Sequence, residues 1–339
     1  AGEPQRGLRL EGAALSGAML AGGVFEDARL AGADLSGARL DESTFTGCDF
    51  SSARLVGADL RFAVFHDCKF RGAALAEVEA RHAAFVACDL GDADFAAAKL
   101  TVTSFSNGSL EGASFRGARL ERASVVETNT RGLSLAGAEL ETATLLKADL
   151  SASDFSGAKP HATLLIEANL RGAVLEGLTL ERCQLPKADL SQARCKGASL
   201  VGCGFQEAIL AGVDFTDASL DQASFALAKL KGVTFDGAKL SQALFVAADV
   251  DGASFRRCDM EMAVLQRATL RRALFERSKL RYADFSHATL TGCIFEGCDL
   301  RRARFHATDE TDTRCDDRSA ALGDDEPLAA AERWTPTSP

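Results

Sequence analysis

Residues 31–50 read AGADLSGARLDESTFTGCDF, and within this stretch every fifth residue is large and apolar: Leu35, Leu40, Phe45 and Phe50. Outward in both directions the count holds from Leu10 to Phe305 without slipping by one position. Of the 60 positions so defined, 33 are Leu and 20 are Phe, and the other seven are Ala80, Val125, Thr130, Pro160, Cys195, Val250 and Met260. Only Phe62, among 21 Phe, falls out of step. A period of five fits neither the 3.6 of an amphipathic helix nor the 2 of a strand, so it indicates a repeat architecture.

A second inward-looking position lies two residues before each centre. Ala fills 38 of these 60 slots, and Cys, Ser, Thr, Val and Gly take nearly all the rest. Gly is frequent two residues after the centre, as at Gly32 and Gly37, where a corner needs little bulk and tolerates positive φ. The residue just before the centre is often Asp or Asn, as at Asp34, Asp49, Asp59 and Asn169, whose short side chains reach neighbouring backbone amides.

The pattern Ala-Asp/Asn-Leu/Phe-X-X, written here as AGADL, TGCDF, VGADL, LKADL, IEANL and PKADL, resembles that of the pentapeptide repeat proteins. The resemblance covers about nine tenths of the chain. It implies an all-β fold, a right-handed quadrilateral parallel β-helix with four pentapeptides to a coil. Sixty repeats at four per coil give about 15 coils. Such a solenoid gains stability by stacking each coil on its neighbours. Residues twenty apart lie above one another, so Phe25, Phe45, Phe65, Phe85 and Phe105 are expected in one column, resuming at Phe205, Phe225 and Phe245. Phe95, Phe115, Phe215, Phe235, Phe255, Phe275 and Phe295 fall on the opposite face. The expected organisation is a lead-in over 1–7, the β-helix over 8–307 and an acidic tail over 308–339. Within the tail, an acidic first turn with Pro327 near its start admits two readings, a short capping helix near 326–334 that Leu328 and Trp334 would dock on the last coil, or a disordered segment.

Composition points away from several classes of function. The net charge is -10, and no stretch of about 18 residues is continuously apolar, so no membrane span and no membrane partner are expected. Of ten Cys, Cys48, Cys68, Cys88, Cys183, Cys203, Cys258, Cys293 and Cys298 occupy the small inward slot and Cys195 a centre, which reads as core packing rather than bridges or metal ligands. Many unpaired thiols favour a reducing, bacterial cytoplasmic location. The five His show no ligand spacing, and the recurring Gly residues make any phosphate-loop match a by-product of the repeat. The chain is therefore expected to be no enzyme and to use no cofactor or metal.

Function is then expected on the walls. Residues following the multiples of twenty give a broken acidic stripe, Glu121, Glu141, Glu181, Asp221 and Glu261, with Arg61 and Arg81 before it and Arg281 and Arg301 after it. An apolar set, Val126, Leu146, Leu164 and Ile166 with Pro186, then Leu227, Leu244, Val246 and Val264, marks a candidate protein contact or homodimer interface. A basic cluster, Arg271, Arg272, Arg277, Lys279, Arg281, Arg301, Arg302 and Arg304, lacks the aromatic interleaving of a nucleic-acid site and reads as a solvated face or a partner for the acidic tail. The favoured function is a scaffold or protein-binding module acting through its side walls or ends. The family resemblance also implies an alternative, a DNA-mimicking modulator of gyrase. This chain lacks inserted loops and mixes basic residues into every face. Because the chain starts at Ala1 rather than Met, a third reading is an appended repeat domain of a larger bacterial secretion adaptor or effector. Weak repeats at Val125, Thr130, Leu133 and Pro160 predict either a bend or local loosening between about residues 125 and 165.

Overall fold

The computed structural model describes residues 3–334 and divides them between two compact units. Unit 1 runs to Val174 and takes in Leu178–Ala188; unit 2 comprises Leu175–Gly177 and the chain from Asp189. The expected lead-in and tail each extend beyond the described residues, at 1–2 and 335–339.

In unit 1, β1 (Gln5–Arg6), β2 (Val24–Glu26), β3 (Thr44–Thr46), β4 (Val64–His66), β5 (Ala84–Val86), β6 (Ser104–Ser106), β7 (Ser124–Val126) and β8 (Thr144–Leu146) form one parallel sheet in chain order. The register is twenty residues, so Phe25 pairs with Phe45 and Phe45 with Phe65. The other three walls are held by single parallel bridges such as Arg9 to Arg29, Ala14 to Asp34 and Met19 to Arg39. Four ladders per twenty residues make the square coil. The sheet accounts for only about seven turns, fewer than the expected 15, because the backbone runs extended for three residues along one wall alone. Part of the expected lead-in joins the sheet, since Gln5 and Arg6 pair with Phe25 and Glu26.

Each corner is a tight turn. Ala33 N donates to Leu30 O at 3.0 Å, with Gly32 at φ 65° between them. That left-handed conformation suits Gly, yet Glu42 adopts φ 59° at an equivalent corner, because the ladder bonds above and below over-determine the backbone. The aspartate before the centre steadies the corner from outside. Asp34 Oδ1 accepts from Ser36 Oγ at 2.6 Å and Ser36 N at 3.0 Å, and these bonds hold its carboxyl below the usual range.

The core follows the five-residue count. Leu35, Phe45, Phe50 and Phe65 are fully buried, as are Ala33 and Ala38 in the small slot. Rings stack along the column, with Phe25 and Phe45 4.7 Å apart at 10°, and meet edge to face across the coil, with Phe45 and Phe50 at 5.2 Å and 77°. The cysteines behave as filler. Cys48, Cys68 and Cys88 donate their thiols to the carbonyls of Phe25, Phe45 and Phe65, and burial pushes the Cys195 thiol up to about 12.

The ladder is interrupted near Thr130. One coil earlier, Leu110 N donates to Asn129 O and Gly112 N to Arg131 O. Among the described residues the amides of Thr130 and Gly132 make no counterpart bonds, and the Thr130 hydroxyl alone reaches Asp149 O, at 3.1 Å. Val125 replaces a ring in the Phe column, and Leu133 enters the slot where Ala is usual. A void of about 10 Å³ remains, lined by Phe115, Val125, Leu133, Leu140 and Leu145 among others. Nearby, Ser153 Oγ is buried without a hydrogen-bond partner, whereas the Thr103 and Thr163 hydroxyls donate to Ala80 O and Leu140 O. An unpaired buried hydroxyl is destabilising, so Ser153→Ala is expected to stabilise the chain by about 1 kcal/mol, read as a raised midpoint in thermal unfolding. A lowered midpoint would mean that the hydroxyl has a partner in solution.

In unit 2 the bridges continue at the same step, for example Ser199 to Ser219 and Lys239 to Asp259. Phe215, Phe235, Phe255, Phe275 and Phe295 stack at 4.7–5.2 Å. The ladder runs past residue 307, with Asp309 on Thr289 and Arg314 on Ile294, then closes on a shortened step with Leu322 on Arg304. The Arg318 guanidinium lies 4.4 Å over the Phe305 ring and pairs with Glu310, so a cation covers the face of the last core ring. Helix α1 (Glu326–Arg333) follows, with Asp325 accepting from Leu328 N at 3.1 Å and Pro327 in its first turn. Leu328 and Trp334 do not dock it, being 38% and 71% exposed. α1 has no buried residue and attaches through polar contacts of Glu332 instead.

Candidate interaction surface

The acidic stripe divides between the two units. Glu121 and Glu141 are exposed in unit 1 and Glu181 is half-buried there; in unit 2 Asp221 and Glu261 are half-buried. Asp221 is engaged internally, accepting from Ser241 N at 3.0 Å. In unit 1, Glu121 shares an open groove with Glu79, Arg81, His82, Lys99 and Arg122, where Lys99 pairs with Glu79. Glu139 pairs with Lys159 at 3.2 Å and with Arg119 at 3.5 Å.

Most of the basic cluster is likewise paired with aspartates of nearby repeats rather than with the tail. Arg272 meets Asp251 at 2.8 Å, Lys279 meets Asp259 at 3.0 Å, Arg281 and Arg301 both meet Asp299 at 2.6 Å, and Arg304 meets Asp284 at 3.6 Å. Hydrogen bonds from Arg301 foremost, then from Arg281, hold the Asp299 carboxyl far below the usual range. Exposed pairs of this kind add about 0–1 kcal/mol each. Their larger effect is electrostatic, since charge alternating within a wall leaves a patchy rather than a uniformly negative field.

The apolar candidates also separate. In unit 1, Val126 and Leu146 are register partners in β7 and β8, and they, Leu164 and Ile166 are half-buried. In unit 2, Val246 and Val264 are half-buried, but Leu244 is 39% and Leu227 59% exposed. Leu244 bridges Val264 on one wall, and at the corner that follows it Leu227, at φ 60°, donates its N–H to Val246 O at 3.0 Å. The structure adds two corner residues beside this wall, Met262 and Tyr282, each 51% exposed, with Arg302 5.8 Å over the Tyr282 ring. Sequence reasoning missed this pair because corners were read as Gly or polar. The available signal was that the chain's only Tyr and one of its three Met occupy corners twenty residues apart. Phe62, the one Phe out of step, is another exposed corner residue, stacked on His82 at 4.9 Å in unit 1.

A square coil of parallel ladders with a five-residue period defines a class, the parallel β-solenoids built from pentapeptides. The family model "Pentapeptide repeat region" matches residues 18–95, 178–255 and 228–305, and a second model, "Pentapeptide repeats (8 copies)", matches 88–125. The chain belongs to the pentapeptide repeat family. No curated protein matches it. Among solved structures it is similar to a trypsin-treated variant of QnrB1, a plasmid-mediated fluoroquinolone resistance protein, with 21% identity over 54% of this chain and 92% of that one and a TM-score of 0.37. It is similar to HetL from Nostoc sp. strain PCC 7120, a protein involved in heterocyst differentiation regulation, with 21% identity over 88% and 89% and a TM-score of 0.24. A pentapeptide repeat protein of the Arabidopsis thaliana thylakoid lumen shares 25% identity over 35% and 68%, with a TM-score of 0.16. No helix among the described residues is long and apolar enough to cross a membrane.

Proposed function

We propose that this chain is a non-enzymatic protein-binding scaffold whose contact surface is the unit 2 wall, with its bounding corners, formed by Leu227, Leu244, Val246, Met262, Val264 and Tyr282. The supporting observation is the exposure of Leu244 on one wall of a regular ladder together with Leu227, Met262 and Tyr282 on the corners that bound it. Backbone groups on that wall are spent on coil-to-coil bonds, so affinity comes from apolar and aromatic side chains, the types that dominate interface energetics. Its partner is a protein with a complementary apolar face. The buried free thiols suit a reducing compartment such as the cytoplasm.

The test is quantitative binding of the protein that the wild-type chain captures, repeated with a Leu244→Glu, Met262→Glu double variant. Both sites are exposed, so the unfolding free energy should change by no more than about 0.5 kcal/mol. Affinity is expected to fall at least about tenfold. A charge-reversed control, with Glu121, Glu141, Glu181 and Asp221 changed to Lys, should bind normally. Undiminished binding by the wall variant would defeat the proposal. Capture of gyrase that is lost only in the charge-reversed control would replace it with DNA mimicry, and sedimentation velocity would reveal whether the captured partner is a second copy.

A further inference from the structure

His287 and His306 are nineteen residues apart in sequence and neighbours in space. The His287 amide donates to the His306 carbonyl at 2.8 Å, and the two rings meet edge to face at 5.4 Å. Both Nε2 atoms turn toward one carboxylate of α1. His287 Nε2 is 3.0 Å from Glu332 Oε1, and His306 Nε2 is 3.3 Å from Glu332 Oε2. The ligand atoms of the three residues lie within 4.8 Å of one another.

We propose that His287, His306 and Glu332 form a binding site for a divalent transition metal, zinc by preference, that clips α1 to the last coils. Zinc takes imidazole nitrogen and carboxylate oxygen at about 2.0–2.2 Å in tetrahedral geometry, which sets neighbouring ligand atoms about 3.3–3.5 Å apart. The two imidazole nitrogens approach separate oxygens of the one carboxylate, at 3.0 and 3.3 Å, so a small turn of the Glu332 carboxyl brings the three residues to that spacing around an ion. Magnesium and calcium prefer all-oxygen shells, so a donor set of two imidazoles and one carboxylate selects against them.

The site is held from both sides. His306 is 1% exposed, and His287 sits on a corner fixed at φ 61° by the ladder. His306 Nδ1 accepts from Asp325 N at 3.1 Å, and Asp324 Oδ1 lies 3.7 Å from the same nitrogen. With the backbone N–H directed at Nδ1, the metal-free imidazole carries its proton on Nε2 and donates to Glu332. Metal on Nε2 moves that proton to Nδ1, so binding requires the Asp325 N–H to turn away and the Asp324 carboxylate to close from 3.7 Å to hydrogen-bond distance as the new acceptor, the arrangement that orients many metal-bound histidines. α1 is eight residues long with none buried. A helix this short is marginal alone, so a metal clip would order it.

The chain's only tryptophan, Trp334, directly follows α1 and reports on its docking. Zinc chloride is titrated into chelator-stripped full-length chain by calorimetry, with Trp334 emission followed in parallel. One zinc per chain is expected, with emission changing at the same stoichiometry. His287→Ala and Glu332→Gln alter partly exposed side chains, at 35% and 38%, and so spare the fold. Each is expected to weaken binding by at least about tenfold and to abolish the emission change, and Asp324→Asn to weaken it by about 10–100-fold. Three results would each overturn the site: no zinc bound by the wild-type chain, equal binding of magnesium, or zinc retained fully by both ligand variants, which would move it to the cysteines.

Discussion

Replacing Phe225 by alanine is expected to lower stability by about 3–5 kcal/mol, the range for emptying an aromatic position in a packed core. Phe225 is fully buried in unit 2. Its ring stacks on Phe205 at 5.0 Å and on Phe245 at 4.8 Å, and meets the edges of Phe215 and Phe235 at 6.2 and 5.7 Å. The substitution removes the burial of one ring and four ring contacts together, and the parallel ladder on either side prevents the coil from collapsing into the void. In a solenoid each coil leans on its neighbours, so a break here is felt by both flanking coils. Urea or thermal unfolding of the variant beside Phe62→Ala separates burial from aromaticity. Phe62 is 54% exposed and among the described residues its one ring contact is with His82, so its loss should cost less than about 1 kcal/mol. A comparable loss in both variants would contradict the view that the inward columns carry the stability.

The inward half of this protein was legible in its sequence because the five-residue period is a local rule. Leu35, Phe45 and Ala38 each declare their direction within one repeat, and the step of twenty follows from four repeats to a coil. The Phe columns thus emerge in the expected register. Exposure on a wall is a subtler property, set by side-chain length and by what the residues twenty positions away present. Val126 and Leu146 partly cover each other, whereas Leu244, Met262 and Tyr282 stand clear, and nothing within a single pentapeptide separates those cases. The C-terminal closure was illegible for another reason, since it abandons the period. Leu322 pairs with Arg304 across eighteen residues, and Arg318 covers Phe305 with a cation where the repeat would place a Leu or Phe. The attachment of α1 was likewise read from Leu328 and Trp334, the residues a hydrophobic rule selects. Its actual contacts are Glu332 with two histidines whose spacing of nineteen becomes meaningful only once the coil is known.

Gly108→Ala is expected to destabilise the chain by about 1–3 kcal/mol, the usual cost of overpacking, although the repeat pattern argues for the opposite sign. Gly108 occupies the small inward slot that Ala fills in 38 of 60 repeats, and Gly to Ala at a permissive site commonly gains about 0.4–1 kcal/mol by restricting the unfolded chain. The site is not permissive. A Cβ on Gly108 would stand 2.3 Å from Cys88 O, 3.0 Å from Cys88 N and 3.2 Å from Cys88 C. All three are backbone atoms, and Cys88 O is tied down by the Ser109 amide at 2.9 Å, so no flexible side chain can yield. Relief requires the coils to part at the point where the Phe column is about to pass from Phe105 to Val125, one coil before the ladder is interrupted at Thr130. The contrasting case is Ser153→Ala, which keeps the Cβ already seated in the small slot of a later repeat and removes only an unpaired hydroxyl. Opposite shifts of the thermal midpoint, down for Gly108→Ala and up for Ser153→Ala, are expected. A gain in both would mean that the coil near Cys88 relaxes freely and that the slot obeys the repeat pattern alone.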